Sequence, residues 1–144
     1  MKAILAALFL LVPSLALADA DEDAIRQAIL NYANSVYEVK PELVEESVHT
    51  HLHKVGYMTS QDGKSTRELW MNFHELSNLA ANLNKEGMFD PDTARRDIKI
   101  LDRLDRIAMA RLDAEWGIDF FHLVKIDETW KIMNVVWQSY PKEK

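Results

Sequence analysis

His122 and Asn134 stand in the middle of two apolar runs, in the stretch GIDFFHLVKIDETWKIMNVVW from Gly117 to Trp137. An imidazole titrates near neutrality and can take or give a proton. A carboxamide can fix a histidine tautomer or present an amide to a ligand carbonyl. Polar side chains inside an apolar element cost free energy unless partnered, so the pair points to a cavity or a hydrogen-bonded network. Tyr32, Tyr57, Trp70 and Phe120, with His74, are the further residues placed to line such a space. A second group is His49-Thr50-His51-Leu52-His53. In an extended segment its three imidazoles fall on one side, as zinc would need; at a helix end they splay and serve as cap and surface histidines. Nothing elsewhere at ligand spacing completes the set, so no metal and no cofactor are expected, and His49 alone is counted among the cavity residues.

The elements that must position these residues follow from periodicity. Asp21-Glu22-Asp23 supplies negative charge where a helix begins, and Ile25, Ala28, Ile29, Tyr32 and Val36 repeat at helical spacing up to about Lys40. Pro41 suits the first turn of a short second helix with Leu43, Val44, Ser47 and Val48 on one side. The run HKVGYMTS then forms a short strand closed by Gln61-Asp62-Gly63. Ser65-Thr66-Arg67-Glu68 has the form of a capping box, and Leu69, Phe73, Leu76, Ala80 and Leu83 behind it predict a third helix, stopping near Gly87. Met88 to Thr93 is a loop. From Arg95 the period becomes two: Ile98 and Ile100; then Ala108, Ala110, Leu112 and Ala114; then the two strands quoted above, turned at Asp127-Glu128-Thr129. Four strands with short turns make an antiparallel meander. The class is α+β, with helices packed on one face of a curved sheet.

The chain opens MKAILAALFLLVPSLALA, with Lys2, an apolar stretch and an Ala16-Leu17-Ala18 site in order. That is the pattern of a secretory signal peptide, and residues 19–144 form one domain after cleavage near Ala18. The expected location is the periplasm or the cell exterior. A net charge of −6 argues against nucleic acid and anionic lipid as partners. There is no cysteine, hence no disulfide and no thiol nucleophile, and no later segment is apolar enough to span a membrane.

Strand alternation assigns faces. If Lys125 and Lys131 face water, then Phe120, His122, Val124 and Ile126, with Trp130, Ile132, Asn134 and Val136, lie under the helices. Phe121, Leu123, Met133, Val135 and Trp137 then form an apolar outer face that a second copy would cover, predicting a homodimer. Arg111, Asp113 and Asp119 join that outer face. A β-bulge would swap the faces beyond it and could turn Asp119 inward as a catalytic carboxylate.

The pattern Asp119-Phe120-Phe121-His122-Leu123-x-Lys125, followed by Trp130-Lys131-Ile132-x-Asn134-x-x-Trp137, resembles the C-terminal signature of the "putative lumazine-binding" proteins. These belong to the nuclear transport factor 2-like superfamily. Val48-His49 and the following Lys54 are similar to that family as well. The sequence departs from the pattern at Asp127-Glu128-Thr129, which lacks the hairpin glycine, at Phe120-Phe121, and at Thr50, where proline is common. The resemblance implies a cone of about three helices on a curved antiparallel sheet, often dimeric through the sheet, with a pocket at the wide end. It implies no catalytic set. The leading expectation is an exported protein that binds a small, partly apolar molecule through His122, Asn134, His49 and Tyr57. The alternatives are an isomerase or dehydratase in which His122 moves the proton, and a structural module whose cavity is filled by Trp130, Phe73 and Phe120.

Overall fold

The computed structural model describes residues 14–60 and 62–140, with side chains from Ala20. Residues 1–13, most of the leader segment, lie outside the described residues, as does Gln61. Three helices and six strands follow one another as α1 (Ser14–Tyr37), α2 (Glu42–Ser47), β1 (Val48–Thr59), β2 (Thr66–Met71), α3 (Phe73–Asn82), β3 (Arg96–Arg103), β4 (Ile107–Ala114), β5 (Gly117–Ile126) and β6 (Thr129–Gln138). The strands form one sheet in the order β2-β1-β6-β5-β4-β3. The last four make the expected meander. β1 runs parallel to β6, so the first and last strands of the domain are neighbours.

α1 buries Ile25, Ala28, Ile29, Tyr32, Ala33 and Val36, a single stripe at helical spacing that lies along the sheet. It closes with Val39 at a φ of 55°, a left-handed residue that ends the helix just before Pro41. Lys131 reaches the last carbonyls of α2, Glu45 O and Glu46 O, at 2.9 and 2.6 Å.

The third helix begins later than its sequence predicts. Thr66–Met71 pairs antiparallel with β1 as an edge strand, and the capping box belongs to Asn72 and Glu75, which bond each other's backbone N–H reciprocally. Two overlapping patterns of the same form, Ser65-x-x-Glu68 and Asn72-x-x-Glu75, compete. The second wins because residues 66–71 satisfy their backbone against β1, with Leu69 and Met71 half-buried and Trp70 outside. Only Phe73, Leu76, Ala80 and Leu83 belong to the helical stripe.

The faces of the sheet also differ from expectation. In β5 the buried residues are Asp119, Phe121 and Leu123, while Phe120 and His122 are exposed. Lys125 is the reason for the error: it sits on the helix side at the end of the strand, and its ammonium reaches Asp21 of α1 at 3.0 Å. β6 begins as predicted, with Trp130 and Ile132 buried. A bulge at Met133 then swaps its faces, so Asn134 is no longer on the helix side and Val135 and Trp137 are buried. The outer face is therefore lined by Ile107, Met109, Phe120 and Val136, not by Phe121, Leu123, Val135 and Trp137. Arg111 and Asp113 do lie there, paired with each other.

The narrow end of the cone is fastened by Asp21. Its carboxylate accepts from Trp130 Nε1 at 3.0 Å and pairs with Lys125 at 3.0 Å and Arg103 at 3.5 Å, joining α1 to β3, β5 and β6. The Trp130 bond, then Lys125, hold this carboxyl below its ordinary value of 3.8. A depressed carboxyl stabilises the fold above its unfolded pKa and loses that contribution as pH falls through the folded one. Asp21→Asn is expected to lower stability by about 1–2 kcal/mol at neutral pH. The gap to wild type should narrow below the ordinary carboxylate value. Urea unfolding at pH 7 and pH 3 checks both statements.

Candidate functional site

β1 alternates Leu52, Lys54 and Gly56 toward the helices, which places a lysine in the core of the domain, 3% exposed. Its ammonium donates to Tyr32 Oη at 2.6 Å and to Asp119 Oδ1 at 3.1 Å. Tyr32 Oη in turn donates to Asp119 Oδ1 at 3.2 Å, and Trp116 Nε1 donates to Asp119 Oδ2 at 2.6 Å. Asp119 is fully buried and thus collects three donors from α1, β1 and the β4–β5 turn. Burial draws the Lys54 ammonium below its usual value in spite of Asp119. Burial, reinforced by the charge of Asp119, pushes the Tyr32 phenol well above its usual value.

Beside this network lies a cavity of about 270 Å³ between α1, α3, the β1–β2 hairpin and the end of β6. Lys54 and Tyr32 stand at one side of it with the ring of Trp137; Met58, Met71, Met88, Leu79 and Phe89 are among its apolar walls. Asn84 holds the loop that carries Met88 and Phe89, donating to Tyr37 O and Phe89 O at 2.6 and 2.9 Å and accepting from Phe89 N at 2.7 Å. Trp137 lies against Gly56, where any Cβ would enter the indole ring, so this glycine is what admits the tryptophan. The Lys54 ammonium stands 5.1 Å from the Trp137 ring. Trp137 Nε1 is buried and has no hydrogen-bond partner among the described residues.

Of the residues expected from sequence to line a pocket, Tyr32 does so. His122 and Asn134 do meet, at 3.1 Å, but on the outer face of the sheet. The Asn134 amide donates to His53 O at 2.8 Å, which turns its oxygen to His122 and assigns the proton to His122 Nδ1. The two side chains tie β5 to β1 across the bulge. His122 borders an outer hollow with Ile107, Met109, Val124 and Met133; Tyr57 and Phe120 border another with Ile118 and Val136. Trp70 is exposed beside His53, and Glu68 accepts from both Tyr57 and Trp70. His49 packs on His51 at the outer start of β1, its Nδ1 accepting from His51 N at 3.0 Å, while His53 turns to Trp70. Among the described residues no histidine lines the helix-side cavity. Phe120 is not a cavity filler either.

Lys54, Trp116 and Trp137 were not assigned to the pocket from sequence, and Asp119 only through a bulge that turned it inward. In β5 the even-numbered residues, Ile118, Phe120, His122 and Val124, are at least as apolar as the odd ones, so hydropathy favours the wrong face. The available signal was Lys54 itself, in phase with Leu52 and Gly56.

The fold is that of nuclear transport factor 2-like proteins. The chain is similar to one of unknown function from Shewanella baltica (TM-score 0.68, 18% identity, covering 86% of this chain and 97% of the other). A second, from Methylobacillus flagellatus, gives a TM-score of 0.65 at 22% identity over 84% and 93% of the two chains. A nuclear transport factor 2-like protein with a cystatin-like fold from Novosphingobium aromaticivorans gives 0.60 at 12% identity over 92% and 94%. No curated protein matches the chain by sequence. Residues 20–138 match the family described as "Putative lumazine-binding", and the chain belongs to that family. Among the described residues no helix is long and apolar enough to cross a membrane.

The buried pair gives a double-mutant test. Asp119→Asn keeps one acceptor oxygen, enough for either Tyr32 or Trp116 but not both, and leaves the Lys54 charge uncompensated; it is expected to cost about 3–5 kcal/mol. Adding Lys54→Met removes that charge and should recover more than half of the loss, as measured by urea unfolding of the two variants.

Proposed function

We propose that this chain is an exported small-molecule-binding protein whose ligand occupies the cavity beside Lys54. The observation that carries this reading is the space itself: about 270 Å³ walled by carbon and sulfur, with the buried Lys54 and Tyr32 at one side. Binding pockets combine apolar walls with a few placed polar groups in this way. The volume falls just below the roughly 300–1,000 Å³ usual for drug-sized ligands, which suits a compact one- or two-ring molecule. Met58, Met71 and Met88 provide walls that adapt to a flat ring. The family description names lumazine, which places that compound among the first to try. Export rests on the leader pattern of residues 1–18, with the chain beginning near Asp19 in the periplasm or outside the cell.

Native mass spectrometry of protein purified from its own host should find a chain starting near Asp19 with a co-purifying small molecule. Leu79→Trp, which fills the cavity, should abolish the adduct while leaving the protein folded. An empty wild-type protein that also ignores lumazine and a panel of one- and two-ring compounds would sink the reading.

We further propose that the outer sheet face is covered by a second copy of the chain. Ile107, Met109, Phe120 and Val136, between 42 and 54% exposed, give the outer face large apolar side chains of the kind that mark association. Sedimentation should give a dimer for wild type and a monomer for Met109→Lys with Phe120→Glu.

A further inference from the structure

We propose that Met58 and Met88 form the mouth of the cavity and are sites of reversible oxidation, at which a peroxide-class oxidant lowers the affinity of the cavity for its ligand. This rests on the small-molecule reading above and adds a modification site to it. The exposure of the lining residues gives the cavity a direction. Tyr32, Val36, Lys54 and Trp137 are buried and form its floor. Of the described residues that line it, only Met58 and Met88 are exposed, at 42 and 66%. A molecule arriving from solvent therefore passes two thioethers, one near the end of β1 and one on the loop after α3. That loop is held in place. Gly87 takes a φ of 70° and its N–H donates to Asn84 O at 3.0 Å, while the Asn84 side chain bonds both backbone groups of Phe89. Met88, between the two, is thereby kept at the opening.

The chain has no cysteine, so its sulfur chemistry rests on methionine alone. The sulfur lone pair attacks one oxygen of hydrogen peroxide. The S–O bond forms as the O–O bond breaks, and the second oxygen leaves with both protons as water. Sulfur gives up two electrons and the peroxide takes them. The product, a sulfoxide, is polar and chiral where the thioether was apolar and pliable. A bound ligand would strip water from the new oxygen against walls of Met71, Leu79 and Phe89, whose side chains offer it no donor. Susceptibility follows exposure, which puts Met88 and Met58 ahead of the half-buried Met71. Met109 is 45% exposed but lies on the outer sheet face and does not line this cavity, so it serves as the internal control.

The test exposes the wild-type chain to hydrogen peroxide and follows oxygen uptake by peptide mass spectrometry, with indole and lumazine as calorimetric probes of the cavity. Met88 and Met58 should gain oxygen before Met71, and probe affinity should fall by roughly 10-fold as they do. Methionine sulfoxide reductases of both epimer specificities should restore it, which separates a reversible modification from unfolding. Met58→Leu with Met88→Leu, compared before and after the same treatment, should hold its own starting affinity within about twofold. Met109→Leu should lose affinity on treatment as the wild type does. Unchanged probe affinity in protein oxidised at Met58 and Met88 overturns this inference and leaves the cavity reading standing. A loss that persists in the Met58→Leu, Met88→Leu variant, or oxygen appearing first on Met71, does the same. Failure of both probes to bind the untreated chain at millimolar concentration removes the cavity reading and this inference with it.

Discussion

An ammonium group buried under a helix is expensive, and the organisation of this domain follows from how Lys54 is accommodated. Its charge is met by Asp119 on β5 and its protons by that carboxylate and Tyr32 of α1, so three separate elements must arrive together for any of the groups to be buried. Replacing such a pair by hydrocarbon is often neutral or stabilising, so the network is better understood as fixing the register of β1, β5 and α1 than as a source of net stability. It also fixes the polar side of the cavity, because the same lysine lines it.

Two irregularities of the backbone make that arrangement possible. The bulge at Met133 turns Trp137 to the helix side, and Gly56 leaves the space on β1 into which the indole fits. At the mouth of the β4–β5 turn, Gly117 has a φ of 145° with the Gln138 carbonyl where a Cβ would stand, so only glycine serves there. Trp116, one residue earlier, is thereby directed at Asp119. Away from that cavity the Asp21 clamp joins α1 to the hairpin whose Asp127 and Glu128 both take left-handed φ in place of glycine.

The two faces of the sheet have divided their work. The helix-facing side carries the cavity and the Lys54–Tyr32–Asp119 network. The outer side carries His122, Asn134 and His53, which bond strands to one another across the bulge, surrounded by exposed Ile107, Met109, Phe120 and Val136. A histidine within an apolar strand therefore does not say which face of the sheet it occupies when both faces of the strand are apolar.

Local patterns in the sequence were enough for the elements and the class: the α1 stripe from Ile25 to Val36, Pro41 before α2, the period-two runs of β3 to β6, and a signature running from Asp119 to Trp137 whose family the match over residues 20–138 bears out. The pairing of His122 with Asn134 was legible too. Tertiary structure alone decided which face that pair occupies, where α3 begins, and that β1 lies parallel to β6. The reason is physical. Periodicity reports that one side of a strand differs from the other, whereas which side meets the helices depends on a bulge at Met133, on Lys125 reaching Asp21 across the sheet end, and on backbone pairing between Thr66–Met71 and β1. The Lys125–Asp21 contact joins residues far apart in the chain, and the bulge and the β1–β2 pairing are choices of backbone register that side-chain periodicity does not record.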